Sequence, residues 1–184
     1  MNGPIAIAVV AILAIVAVAA IVFGVVLLVR SVRVLGTRKT VVTLIGRKEA
    51  ILAGYRALYN VVQRLAQSSD EELTHFNDDP NDEERRAFEE VASQMRILED
   101  ELKSTEVSRS LETVAMSMED AARLIFEAAG SVDGAGETDA LTAAGEIDFG
   151  VIAAAIERME SELREAADRN HVDERSVYGG GLYI

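Results

Sequence analysis

Apolar positions in this chain come in two arrangements, a block and then a set of stripes. The block is residues 5–29, where no side chain is charged and only Gly24 interrupts the apolar run. As a helix rising 1.5 Å per residue it would extend roughly 37 Å, more than a hydrocarbon core of ~30 Å. The run therefore predicts a transmembrane helix with some tilt. A secretory leader would need a charged start and an apolar stretch of about 7–15 residues. No charged side chain precedes Arg30. A core helix apolar on every side does not suit so small a chain. Within the span Ala17, Ala20 and Gly24 offer small side chains on neighbouring surface, where two helix backbones approach closely in lipid.

Beyond the block the apolar residues become periodic. Thr40, Val41, Val42, Thr43 and Ile45 are β-branched, and with Gly36 they predict a short irregular or interfacial segment. A helical stripe then runs through Ile51, Tyr55, Leu58, Val62 and Leu65, on a helix placed over 47–67. Ser69 suits the start of a short turn at Asp70. Asp79 followed by Pro80 predicts a cap and first helical position, with Asp82, Glu83 and Glu84 favouring the positive helix start. Phe88, Val91, Met95, Leu98 and Leu102 come next at steps of three and four, a heptad seam. The phase slips near 103–106, where Ser104 and Thr105 suit a helix–helix turn. The next seam is Val107, Leu111, Val114, Met118, Ala122 (or Ala121), Ile125 and Ala129, with Gly130 as a left-handed cap. Residues 131–146 read as a loop with one helical turn near 140–144. Asp148 caps a last helix with seam residues Phe149, Ile152, Ile156, Met159, Leu163 and Ala166, ending near Asn170.

The expected fold is all-α: a transmembrane helix, an antiparallel bundle of about four amphipathic helices, and a flexible tail. Two-heptad seams are too short to stand alone, so they must bury one another or a second copy. The boundaries predicted are 1–34 for the anchor with its basic flank, 35–46 for a juxtamembrane basic segment, 47–170 for the bundle and 171–184 for the tail.

Charge gives this layout a direction. Arg30, Arg33, Arg38, Lys39, Arg47 and Lys48 come after the span, and no Lys or Arg precedes it. The positive-inside rule places the N-terminus outside and the remainder in the cytoplasm, a single-pass protein of the cell membrane. Residues 30–64 carry eight bases and one acid, Glu49, whereas the residues after 64 carry a net charge of −20 within a total of −13. The six leading bases are expected at the anionic inner leaflet, worth about 1 kcal/mol each near the surface. The acidic remainder would be repelled by that leaflet, and it does not suit nucleic acid.

Chemistry is sparse. The sequence has no Cys and two His, which removes disulfides, thiolate nucleophiles and Cys-ligated metals. No nucleophile elbow or phosphate-binding loop occurs. Asp133 and Asp139 have calcium-loop spacing, yet Ala135 and Ala144 stand where further ligands are required. Glu72 with His75, and Asp168 with His171, have the i, i+3 spacing of di-metal bundles, but both lie at polar helix ends outside the seams. No metal, cofactor or enzymatic activity is expected. The expected role is an anchored interaction or adaptor protein with a protein partner or a second copy on its helical seams. The alternative is a sensor or regulatory subunit holding a ligand in the bundle core. The closing residues Leu182, Tyr183 and Ile184 resemble an apolar C-terminal strand of the kind recognised at sheet edges.

Overall fold

The computed structural model describes residues 36–135 and 140–172. The chain divides into two compact units, Met1–Lys39 and Thr40–Ile184. The apolar run 5–29 with Ala17, Ala20 and Gly24, the bases Arg30 and Arg33, and the tail residues Leu182, Tyr183 and Ile184 lie outside the described residues. Among the described residues no helix is long and apolar enough to cross a membrane.

The described chain is all helical, with no strand in it. Helix α1 covers 36–65. After it come α2 (Asp70–Asp78), α3 (Glu83–Ser104), a single 3-10 turn (Arg109–Leu111), α4 (Glu112–Asp133), α5 (Ala140–Gly145) and α6 (Phe149–Arg169). Four long helices make the bundle and two short ones close one end of it.

The long helices alternate in direction. Arg47 donates to Thr105 Oγ1 and lies 3.9 Å from Glu101, whereas Arg64 reaches Glu84 at 3.4 Å. Residue numbers fall along α3 as they rise along α1, so the two are antiparallel. Lys103 faces Glu119, and Arg85 reaches Val132, which sets α4 antiparallel to α3. Helix α6 lies against α4 through Arg158 and Asp120. Its first residue, Phe149, meets Tyr55 and Tyr59 of α1 edge-on, with ring centroids 6.1 and 5.4 Å apart. The order around the bundle is α1, α3, α4, α6, returning to α1. The short α2 and α5 meet where Asn77 Oδ1 accepts from the Leu141 amide.

The core lies along the stripes. Phe88, Val91, Met95, Leu98 and Leu102 are buried, as are Leu111, Val114, Met118, Ile125, Ile152, Ile156, Met159 and Leu163. A fully buried side chain of this size contributes about 1.5–3 kcal/mol of transfer free energy. On α1 the buried line is Ile51, Gly54, Leu58, Val61 and Leu65, with Tyr55 and Val62 at its margin.

Three local expectations are corrected. The 35–46 segment is not irregular: 36–46 are helical, and Val41, Leu44 and Ile45 are completely buried. Branching at Cβ costs only a few tenths of a kcal/mol per helical residue, which core burial outweighs. The same residues extend the α1 stripe backwards at helical steps. Asp79 caps no helix start. It ends α2, its side chain accepts from the Asn81 amide, and α3 is capped by Asp82 instead. Gly130 does not end α4, which continues through buried Val132 to Asp133, and Gly134 comes next with φ −76°, on the right-handed side. Burial of one more apolar turn extends the helix past a glycine. Other caps stand where the sequence places them: Ser69 and Glu72 form a reciprocal capping box, and Asp148 Oδ1 accepts from the Gly150 and Val151 amides.

At Gly54 of α1 the Met95 side chain of α3 packs directly over the backbone. A Cβ built there would lie 2.7 Å from both Sδ and Cε of Met95. Gly54→Val should therefore destabilise the bundle by about 1–3 kcal/mol through overpacking, although glycine itself is a poor helix residue. Thermal melts of Gly54→Val in wild-type and Met95→Ala backgrounds check this. The cost should shrink when Met95 is truncated, and equal costs in both backgrounds would refute the contact.

Candidate interaction site

The predicted seam residues Phe88, Val91, Met95, Leu98, Leu102, Ile152, Ile156, Met159 and Leu163 all face inward, and Phe149 is half-buried beside the two tyrosines. They pack against one another within one chain. The seams therefore present no free face to a partner, and any partner surface must be sought outside them.

The membrane-surface assignment of Arg47 and Lys48 is corrected for a related reason. Lys48 is buried at 8% exposure with Glu49 3.7 Å away, and Arg47 bridges to Thr105 and Glu101 on α3. Because helix α1 begins before residue 47, both bases belong to the bundle. Arg38 and Lys39 hold exposed helical positions.

Polar side chains inside the bundle were not expected. Arg85 is buried at 6% exposure, and its guanidinium donates to the carbonyls of Val132 and Ala135, each at 3.3 Å. It also lies over the Phe76 ring, 5.7 Å from the centroid. These carbonyls close the C-terminal end of α4, where the helix dipole is negative and a cation is favoured. Glu99, similarly buried, accepts from Lys103 at 2.6 Å. The signal was in the phase: Arg85 lies one step of three before Phe88, so continuing the seam backwards places it in the core.

Helix α2 is tied to the start of α3 by His75. Its Nδ1 lies 2.9 Å from Asp82 Oδ2, and Asp79 is 3.8 Å from its other nitrogen. The hydrogen bond to Asp82 raises the imidazole above its ordinary value near 6.5. Burial pushes Asp82 up, but His75 and the amides of Glu84 and Arg85 outweigh it and hold the carboxyl below its ordinary 3.8. The His75 contribution is present below pH 6.5 and disappears as pH rises through the raised folded value. The Asp82 contribution is present above 3.8 and disappears as pH falls through the lowered one. Thermal melts from pH 5.5 to pH 8.5 should therefore show a stability decline that His75→Ala removes. An unchanged decline in the variant would assign it elsewhere. The Glu72–His75 and Asp168–His171 spacings do not converge: among the described residues no three acids or histidines gather to hold a metal.

Grooves and a charged ladder pattern the outside of the described residues. Between α1 and α3, Ala50 and Ala53 face Ile97 and Leu98 across about 370 Å³, with Ile97 58% exposed. On the opposite side, ion pairs step from Glu127 to Arg123, Asp120, Arg158 and Glu162, joining α4 to α6. Exposed pairs of this kind contribute about 0–1 kcal/mol each. A second groove lies where α4 meets the α5–α6 connection.

Fold and surface together define an antiparallel α-helical bundle, acidic outside and sealed by its own seams. No family model, no curated protein and no solved structure matches the chain.

Proposed function

We propose that this chain is a single-pass, membrane-anchored interaction protein that holds an acidic helical bundle at the cytoplasmic face. The observation that carries the reading is the division of the sequence itself. An uncharged run over 5–29 is succeeded by Arg30, Arg33, Arg38 and Lys39, and then by residues of strongly acidic net charge. Such a run is long enough to span, and the bases after it direct the bundle inward. Anionic lipid attracts that basic flank and repels the acidic bundle, which favours a bundle standing away from the surface.

The bundle supports an adaptor role through its surface rather than its seams. Val42, Tyr59, Ile97, Met116 and Val151 are large apolar side chains left exposed. A ligand-sensing role has one observation in its favour. A space of about 250 Å³ between the end of α1, α2 and α5 is lined by Val62, Leu65, Leu73, Leu141 and Ala144, with Ser68 as its hydroxyl.

Fractionation of intact cells tests the anchor and its direction. The full chain should sediment with membranes, resist extraction by salt and dissolve in detergent. Protease added outside should leave the bundle intact and cut it once the membrane is opened. Recovery of the full chain in the soluble fraction would refute the reading.

A further inference from the structure

The groove at the α4–α6 end differs from the one between α1 and α3 in its charge. It encloses about 350 Å³, with Leu124, Ala128, Ile147 and Ile152 among its apolar lining. Three acids line it, Glu127, Glu146 and Asp148, and no base does. Two of the acids are already engaged: Glu127 accepts from Arg123 at 3.0 Å, and Asp148 caps α6. Glu146 is exposed, and among the described residues its carboxylate has neither a hydrogen bond nor an ion pair. Beside it Val151 stands 51% exposed on the first turn of α6. An uncompensated carboxylate and uncovered apolar surface thus share one concave place.

We infer that this groove docks a short segment of a partner protein in which an apolar side chain is flanked by lysine or arginine. The apolar side chain covers Val151 and Leu124, and the neighbouring cation pairs with Glu146. Charge selects this occupant over the alternatives. A second copy of the bundle brings the same acidic surface, the residues after 64 carrying −20, and is repelled. A nucleic acid is repelled on the same ground. A basic segment is attracted over a distance and then held by burial of its apolar side chain. By contrast Glu101, the acid of the α1–α3 groove, is already paired with Arg47.

This inference rests on the interaction reading but not on the membrane anchor. Peptide binding by a chain recovered in the soluble fraction would leave the groove standing and remove the anchor. Failure of peptide binding by a membrane-bound chain would do the reverse.

The test is fluorescence anisotropy with the full chain in detergent and a short labelled peptide of interspersed leucine and lysine. Binding should weaken as salt is raised. Glu146→Lys and Val151→Ser should each weaken it by about tenfold or more. Glu157→Lys, an equal charge change on an exposed turn of α6, should change it by less than about twofold, since it lies off the groove. Replacing the leucines by serines should abolish binding. Circular dichroism of each variant establishes that the helices are intact, and both substituted groove positions are exposed. The inference is overturned if the leucine–lysine peptide does not bind, if Val151→Ser leaves binding unchanged, or if Glu157→Lys weakens it as much as Glu146→Lys.

Discussion

Arg85→Met should lower the stability of the bundle by about 1–3 kcal/mol, although it removes a buried charge and keeps much of the side-chain volume. Replacing a buried ion by an apolar residue is often neutral when its partners are replaced too. Here the partners are backbone carbonyls that remain. Ala135 O loses its guanidinium donor, and Val132 O keeps a 3.3 Å bond from the Ala135 amide. Losing the donor at the part-buried Ala135 carbonyl costs about 0.5–1.5 kcal/mol, and loss of a cation from the negative end of α4 adds a few tenths to 1 kcal/mol. Removal of the charge from the Phe76 ring adds a further fraction. Arg85→Lys should fall between, because an ammonium retains the attraction to the helix end but not the planar fork that reaches two carbonyls. Thermal unfolding of the full chain in detergent, monitored at 222 nm, measures all three proteins. A methionine variant as stable as the wild type would show that the clamp contributes nothing.

Two arginines in the middle of the apolar run should release the protein from the membrane. On an insertion scale, one arginine at the centre of a span costs about 2.5–3.5 kcal/mol. Leu13→Arg with Val16→Arg therefore costs about 5–7 kcal/mol, a shift in the partition equilibrium on the order of 10⁴ or more. The wild-type chain should be recovered with membranes and the double variant in the soluble fraction or as degraded product. Exchanging the same residues for alanine and isoleucine should leave the distribution unchanged. Membrane retention of the double arginine variant would mean that something other than this run holds the protein.

Long-range order was easier to read from the sequence than local punctuation. The seams from Phe88 to Leu102 and from Ile152 to Leu163 are legible because burial against other helices imposes a three–four spacing on any apolar set. The turn at Ser104–Thr105 is legible from the phase slip. The beginning of α1 was hidden because Val41 and Ile45 have intrinsic preferences that oppose helix, and tertiary burial overrides them. The role of Gly54 was hidden because a glycine within a helix reads as a weakness, whereas here its missing side chain admits Met95. The groove was less legible still. Leu124 and Ile147 lie on separate elements, and the α4–α5–α6 packing that joins them leaves no periodic trace. Only the surplus of acid was visible in advance.

The up-and-down arrangement bears on how the chain reaches this state. Each long helix lies against the next long helix in the chain, so three of the four pairings in the ring join helices that are neighbours in sequence. Contacts between near neighbours form quickly, and chains dominated by them fold in microseconds to milliseconds. The fourth pairing, Phe149 against Tyr55 and Tyr59, joins the first long helix of the bundle to its last. During synthesis it must wait until α6 has left the ribosome, so α1 keeps one flank uncovered while the rest of the chain is still being made.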